Sequence, residues 1–485
     1  MPRIITAIDH FNPGTKMFIH TGGISLPDTN GVYRPVLKRV FWCFPQCVEA
    51  FKHCRPVMSV DATFLTGKYK GTLMVAVAVT ASDRVLPLAY ALCEGENNES
   101  WSWFLKHVRQ QVLGPDRTIC MISDRHRGLI NGAKDYLDGY PPLVHRWCIR
   151  HFAANMFKKQ KSKHAINELK KLCKCMEEKQ FEYKLNELEK ILNDDAKEWL
   201  HDQMNERSKW AIAYDVGGYR YGIMTTNVSE VFNKVLKGIR AMPVSGIVEY
   251  TFYKCNEYFV KRWDISRKRK ELGKIWTIEA EDHLEKQGDL SGNQVAILFD
   301  PTKHVYDVRS VSRTNIGGES SGGRIYRVEI GDTVSCTCMM PELLHIPCSH
   351  IITACKERRV LFQSSPYMSS YYLLKAELKT WEPKFEPLLD PSLWPEYKGL
   401  HYVPDVAMRK SRKGRRKTKR FCNEMDDLEK GYGNDMYGTG DFNQKGTKVR
   451  CSVCHKEGHR IEKHKEGPSK ESKRKPRRPK RTVVV

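Results

Sequence analysis

Between about residues 55 and 150 the chain is a series of short apolar runs broken by turn formers rather than long amphipathic stretches. Val57 to Leu65, Thr72 to Thr80 and Val85 to Cys93 are rich in Val, Leu and Ala and are separated by Gly67, Gly71 and the Ser82-Asp83 pair. That punctuation predicts three strands joined as a tight antiparallel meander. From Glu99 the period changes, with Trp101, Phe104, Leu105 and Val108 recurring at helical spacing. Thr118 to Ser123 predicts a fourth strand ending at Asp124, then a helix near Leu129 to Leu137 and a fifth strand over Leu143 to Cys148. Phe152 to Leu200, rich in Lys, Glu and Leu, reads as several helices, and a later helix carries Glu230 in its first turn.

Beyond about residue 265 the pattern weakens, although a compact unit is expected near Arg324 to Arg359. From Arg409 onward large apolar residues become scarce, so the tail is expected to be disordered in isolation. The expected divisions are a lead-in at 1–54, an α/β domain at 55–265 with a helical insertion at about 152–210, and a helical connector at 266–320. A small zinc-bound unit at 321–360, an extension at 361–408 and a basic tail at 409–485 complete the chain.

Composition sharpens this picture in two respects. Lys+Arg 81 against Asp+Glu 57 gives a net charge of +24, which points to a polyanionic partner, most simply nucleic acid. The start Met1-Pro2-Arg3 has no apolar signal core, and the longest apolar run, around Leu73 to Val79, is too short to cross a bilayer. An intracellular chain without a membrane partner is expected, so its 16 cysteines read as buried thiols and metal ligands rather than disulfides.

Asp61 and Asp124 interrupt strand-like sequence, and a lone acid in apolar surroundings is costly to bury without a partner. With Glu230 they form a candidate set of ligands for hard divalent cations. Two such ions, about 3.5–4 Å apart, serve both the attacking water and the leaving oxygen of phosphodiester cleavage. Each acid also has a plainer reading. Asp61 and Asp124 suit turn formers at strand ends, and Asn227-Val228-Ser229-Glu230 imitates a capping box in which the glutamate only returns to the cap amide.

The order strand-strand-strand-helix-strand-helix-strand, then helices, then a helix bearing an acid, resembles the ribonuclease H-like fold of integrases and transposases. The stretches Ser59 to Leu73, Glu99 to Phe104, Ser123-Asp124-Arg125-His126-Arg127-Gly128 and Arg220 to Asn227, in that order, resemble the plant Mutator-like (MULE) transposases. The resemblance implies Asp61, Asp124 and Glu230 as the catalytic acids, holding Mg²⁺ or Mn²⁺. It also matches Cys148-Ile149-Arg150-His151 to a Cys-x-x-His element, with Cys148 and His151 expected to be structural residues near the site.

Cys336-Thr337-Cys338 followed by Cys348-Ser349-His350 is the strongest purely local signal. Cys336 and Cys338 are expected to point the same way from one strand, with Cys348 and His350 opening a helix. Four such donors predict a closed, structural tetrahedral Zn²⁺ site. The pattern resembles the SWIM zinc finger that accompanies this family. In the tail, Cys451, Cys454, His459 and His464 resemble a degenerate zinc knuckle, with His464 where the fourth Cys belongs and His455 as a competing ligand. The remaining cysteines read as small buried hydrophobes.

Two cationic runs, 409–420 and 473–481, suit nuclear import or a non-specific grip on phosphates. The resemblance implies a nuclear transposase that cuts DNA at terminal inverted repeats and joins it to target DNA, with self-association left open. The alternative is a domesticated relative that regulates through DNA binding without cleavage. Chains of this family usually carry an N-terminal DNA-recognition module, and only some sixty residues precede Asp61, which favours that alternative, although a truncated element or an incomplete gene model would look the same. A weaker third reading is a zinc-dependent interaction protein.

Overall fold

A computed structural model of the protein describes residues 1–310, 313–314, 320–321, 323–331, 334–363 and 366–410. The meander is formed by β3 (Val57–Phe64), β4 (Thr72–Val79) and β5 (Val85–Cys93), following α1 (Pro2–Phe11), β1 (Lys16–Pro27), β2 (Tyr33–Cys43) and α2 (Pro45–Phe51). After α3 (Asn98–Val108) the chain adds β6 (Cys120–Ser123), α4 (Arg127–Gly132) and β7 (Val144–Trp147). These strands lie in one mixed sheet in the order β1-β2-β5-β4-β3-β6-β7. β3, β4 and β5 pair antiparallel, whereas β6 runs parallel to β3 and β7 parallel to β6.

Every residue of β4 is buried, and successive side chains point to opposite faces, so both faces of the sheet are covered. One core joins the sheet to Trp101, Phe104 and Leu105 of α3, and to Phe232 and Phe252 from further along the chain. Asn97 and Ser100 cap α3 reciprocally, which fixes where that helix starts.

The first 54 residues do more than lead in. β2 pairs with β5 through Val40↔Leu92 and Trp42↔Tyr90, and the Trp42 and Tyr90 rings stack at 5.3 Å. The helix expected over Leu129 to Leu137 stops at Gly132. Beyond it, the carbonyls of Asp135, Tyr140 and Pro141 accept hydrogen bonds from the Arg109 guanidinium, and this loop follows that anchor instead of a helical ladder.

The insertion comprises α5 (Ile149–Lys159), α6 (Lys163–Cys173), α7 (Glu178–Ile191) and α8 (Asp194–Met204), around Phe152, Leu169, Phe181, Leu200 and Trp210. The chain returns to the sheet through α9 (Asn227–Val235), which contacts β3, β4 and β5, and the long α10 (Val244–Glu271).

The connector is helical through the end of α10 and through α11 (Ile278–Ser291), and then turns to strands. β8 (Gln294–Asp300) and β9 (Val305–Ser310) then pair antiparallel, and β9 pairs with β10 (Ile325–Ile330), which pairs with β11 (Val334–Cys336). This second sheet therefore begins before residue 321. Tyr306 and Val308 alternate into its core, and Asp300 accepts from the Thr302 amide at the turn. After the short α12 (Met340–Leu344), α13 (Ser349–Arg358) packs on this sheet. α14 (Leu374–Trp381) then returns to α10 and α2.

The second unit docks on the segment that precedes α9. Leu343 enters the insertion's core, and the His345 Nε2 lies 3.0 Å from the Gly218 carbonyl oxygen. Gly218 has φ +60°, and a Cβ there would run into the Glu342 carbonyl oxygen, a backbone atom with little room to yield. Gly218→Ala should thus cost about 1–3 kcal/mol, from overpacking and left-handed strain together. A urea melt that leaves the variant as stable as the parent would show that this contact is not tight.

Candidate functional site

The register of the sheet places the two aspartates. Val57, Met58 and Ser59 of β3 lie opposite Cys120, Met121 and Ile122 of β6. Carried two residues further, the same register brings Asp61, within β3, beside Asp124, the residue that follows the end of β6. Asp61 lies within β3, opposite Val75, and not at its end. Asp124 does make a turn, accepting from the His126 amide at 2.9 Å, so its plainer reading is also realised.

α9 supplies the third acid. The Ser229 hydroxyl meets that of Ser59, and one turn on Asn233 Nδ2 donates to Asp61 Oδ2 at 2.8 Å, so the helix lies along the Asp61 face of β3. Glu230 forms no capping box. The N-cap residue is Thr226, without a side-chain cap, and Glu230 Oε2 instead accepts from Arg150 Nη1 at 2.6 Å.

Charge ties the acids together. Burial raises the Asp61 carboxyl to about 7; the charges of Asp124 and Glu230 add to the rise, and His151 opposes it. Burial would lower His151, but Cys148, Asp124 and Glu230 outweigh that and bring it to about 9. Glu96, after β5, is a fourth acid that the sequence did not single out: burial and then the Asp124 charge push it up.

The donors suit a hard cation. Two oxygens here, Glu230 Oε1 and Asn233 Oδ1, are buried without a hydrogen-bond donor, a condition that costs about 1–3 kcal/mol per group. Mg²⁺ and Mn²⁺ prefer such carboxylate and carbonyl oxygens.

Cys148 and His151 knit the surroundings. Cys148 N donates to the Ser123 carbonyl, and Thr226 N donates to Cys148 Sγ at 3.3 Å. Burial opposes ionisation of the Cys148 thiol, but the adjacent His151 brings it below the usual thiol range. Ile149 N also donates to the Met224 carbonyl, so the start of α5 holds the segment leading to Glu230. In that segment Arg220 is a fully buried organiser: its amide donates to Asp215 Oδ2, and Arg146 pairs with Asp215 Oδ1 at 2.8 Å.

Cys336, Cys338, Cys348 and His350 bring their donor atoms within 4.8 Å of one another. Among the described residues this is the one group of three or more Cys, His, Asp or Glu side chains found gathered so tightly. Cys336 ends β11, whereas Cys338 lies in the turn that follows and not on the strand, because the chain reverses there through Met339 at φ 60°. Cys348 sits at the N-cap position of α13, and His350, in its first turn, stacks on Tyr326 at 3.9 Å. Burial would raise the Cys348 thiol, yet hydrogen bonds from Cys336 and Cys338 hold it well below the usual range. The thiols of Cys43, Cys47, Cys54, Cys93, Cys120, Cys173, Cys175, Cys255 and Cys355 are free and buried. Cys451, Cys454, His455, His459, His464 and Cys422 lie outside the described residues.

Residues 57–155 match the MULE transposase domain, and residues 326–358 match the SWIM zinc finger. The two matches bear out the resemblance to a Mutator-like transposase with a SWIM finger, and with it a zinc site at Cys336, Cys338, Cys348 and His350. No curated protein matches the chain. Among the described residues no helix is long and apolar enough to cross a membrane.

Proposed function

We propose that this chain is a Mutator-like DNA transposase with a ribonuclease H-like core, cutting DNA at terminal inverted repeats and joining the freed 3′ hydroxyl to target DNA. The observation that carries the reading is the convergence of Asp61, within β3, and Asp124, just past the end of its parallel neighbour β6, with Glu230 on the helix that lies along the same face. The strand order β5-β4-β3-β6-β7, in which β4 alone runs against the others, supports the core assignment.

In this reading Asp61, Asp124 and Glu230 hold Mg²⁺ or Mn²⁺, which supply an activated water and charge stabilisation at the phosphate. Asn233 orients Asp61, and the Cys148–His151 pair fixes the approach to Glu230. The net charge of +24 would serve the DNA backbone, and the basic runs nuclear import.

A second reading, a DNA-binding regulator that no longer cuts, draws on the Arg150–Glu230 ion pair, in which a guanidinium takes up one oxygen of the third acid. Cleavage of terminal-inverted-repeat DNA in Mn²⁺ separates the two. The parent should cut, and Asp124→Ala and Glu230→Ala should lose roughly 10³-fold or more, since metal stabilisation at phosphate amounts to several kcal/mol. A parent that binds this DNA in a salt-dependent way but never cuts it would favour the regulator.

A further inference from the structure

We infer that Asn233 is a further ligand of the cation site, placing its Oδ1 beside the carboxylates of Asp61 and Glu230; the inference rests on the transposase reading above. α9 runs along β3 in register. Ser229 meets Ser59 and Asn233 meets Asp61, so four helical residues, about 6 Å, track two strand residues, about 6.6 Å.

The Asn233 amide therefore arrives at Asp61 by construction of the fold. Its Nδ2 donates to Asp61 Oδ2 at 2.8 Å, the orientation that suits Asp61 in the ionised form in which it would hold a cation. The opposite end, Oδ1, is buried and has no hydrogen-bond donor. Glu230 Oε1, three residues earlier and thus on the same helical face, is in the same condition. Two uncompensated oxygens on one face, beside a carboxylate, call for a positive partner. Divalent cations accept amide carbonyl oxygens alongside carboxylates in a shared shell. Asn233 thus has a double part: its nitrogen positions Asp61, and its oxygen would help to hold the ion.

Mn²⁺ binding to the zinc-loaded full chain, followed by the electron paramagnetic resonance signal of free Mn²⁺, tests this without any cleavage. Asn233→Leu, close in size and lacking oxygen, should weaken Mn²⁺ binding by about 10-fold or more, the scale found for residues that support a metal. Asn233→Asp, which restores an oxygen, should bind at least as tightly as the parent. The inference is overturned if Asn233→Leu binds like the parent, or if Leu and Asp weaken binding equally, which would mark a merely structural role. Asp61→Ala is the separate control. Parent-level Mn²⁺ binding in that variant would overturn the acid-site reading itself, and this inference with it.

Discussion

Asp61→Asn should lose DNA cleavage by roughly 10³-fold or more while leaving the fold as stable as the parent at pH 7.5, or more stable. The two effects have one cause. Asp61 is half-buried in β3, and its desolvation there, reinforced by Asp124 and Glu230, lifts its carboxyl to about 7. In the unfolded chain the same group titrates near ~3.9. The folded chain therefore holds an extra proton between those values, and the contribution to stability is complete below about pH 4 and lost as pH rises through 7. The loss approaches ~1.4 kcal/mol per pH unit in that window. Asparagine keeps the shape and has no such proton to lose. Urea unfolding from pH 4 to 7.5, in buffer free of Mg²⁺ and Mn²⁺, should show the parent losing stability more steeply than Asp61→Asn. His151, raised to about 9, loses its contribution only as pH passes from its unfolded value near ~6.5 upward, so the two groups separate by window. Equal slopes below pH 7 would remove the Asp61 carboxylate from the account, and cleavage retained by the variant would remove Asp61 from the chemistry.

The parts of this site that the sequence announced are those whose cause is local. The meander was legible because apolar runs of strand length alternate with Gly67, Gly71 and Ser82-Asp83. The finger was legible because Cys-x-Cys and Cys-x-His spacing has few other uses. Its geometry was less so: Cys338 left the strand because Met339 reverses the chain, and no period-two argument anticipates a left-handed residue. β1 and β2 were missed because their place depends on pairing Val40 with Leu92, some fifty residues away. β8 and β9 were absorbed into a helical connector for a similar reason, since only Tyr306 and Val308 show clear alternation. Glu230 was placed on the right helix, but its capping signature was misleading because Arg150, eighty residues earlier in the chain, competes for the carboxylate. Asn233 and Glu96 carried no motif, and only the folded register brings them to Asp61 and Asp124.

Cys348→Ser should unfold the finger and also loosen the acid site, although no acid is touched. Zinc-finger peptides gain about 10–16 kcal/mol from their ion, so a small sheet with one helix has little else to replace it. Cys348 sits at the N-cap position of α13 and is the sulfur that Cys336 and Cys338 both hydrogen-bond, so its loss removes the centre of the cluster. α12 lies between the ligands Cys338 and Cys348, and it is this helix that reaches outward. Leu343 is 3% exposed in the insertion's core, the His345 ring lies 4.1 Å from that of Tyr221, and the end of the Leu344 side chain packs against Gly222. From Gly222 the chain passes through Met224, held by Ile149, and Thr226, held by Cys148, directly into α9 and Glu230. A collapsed finger would free residues 218–226 at one end and leave Glu230 fixed mainly by Arg150. Hydrogen exchange should therefore rise at 218–226 as well as at 325–358, and Mn²⁺-dependent cleavage should fall with it. Exchange that rises only within 325–358, with cleavage intact, would show instead that the finger is an independent module and that the Gly218–Gly222 contact transmits nothing.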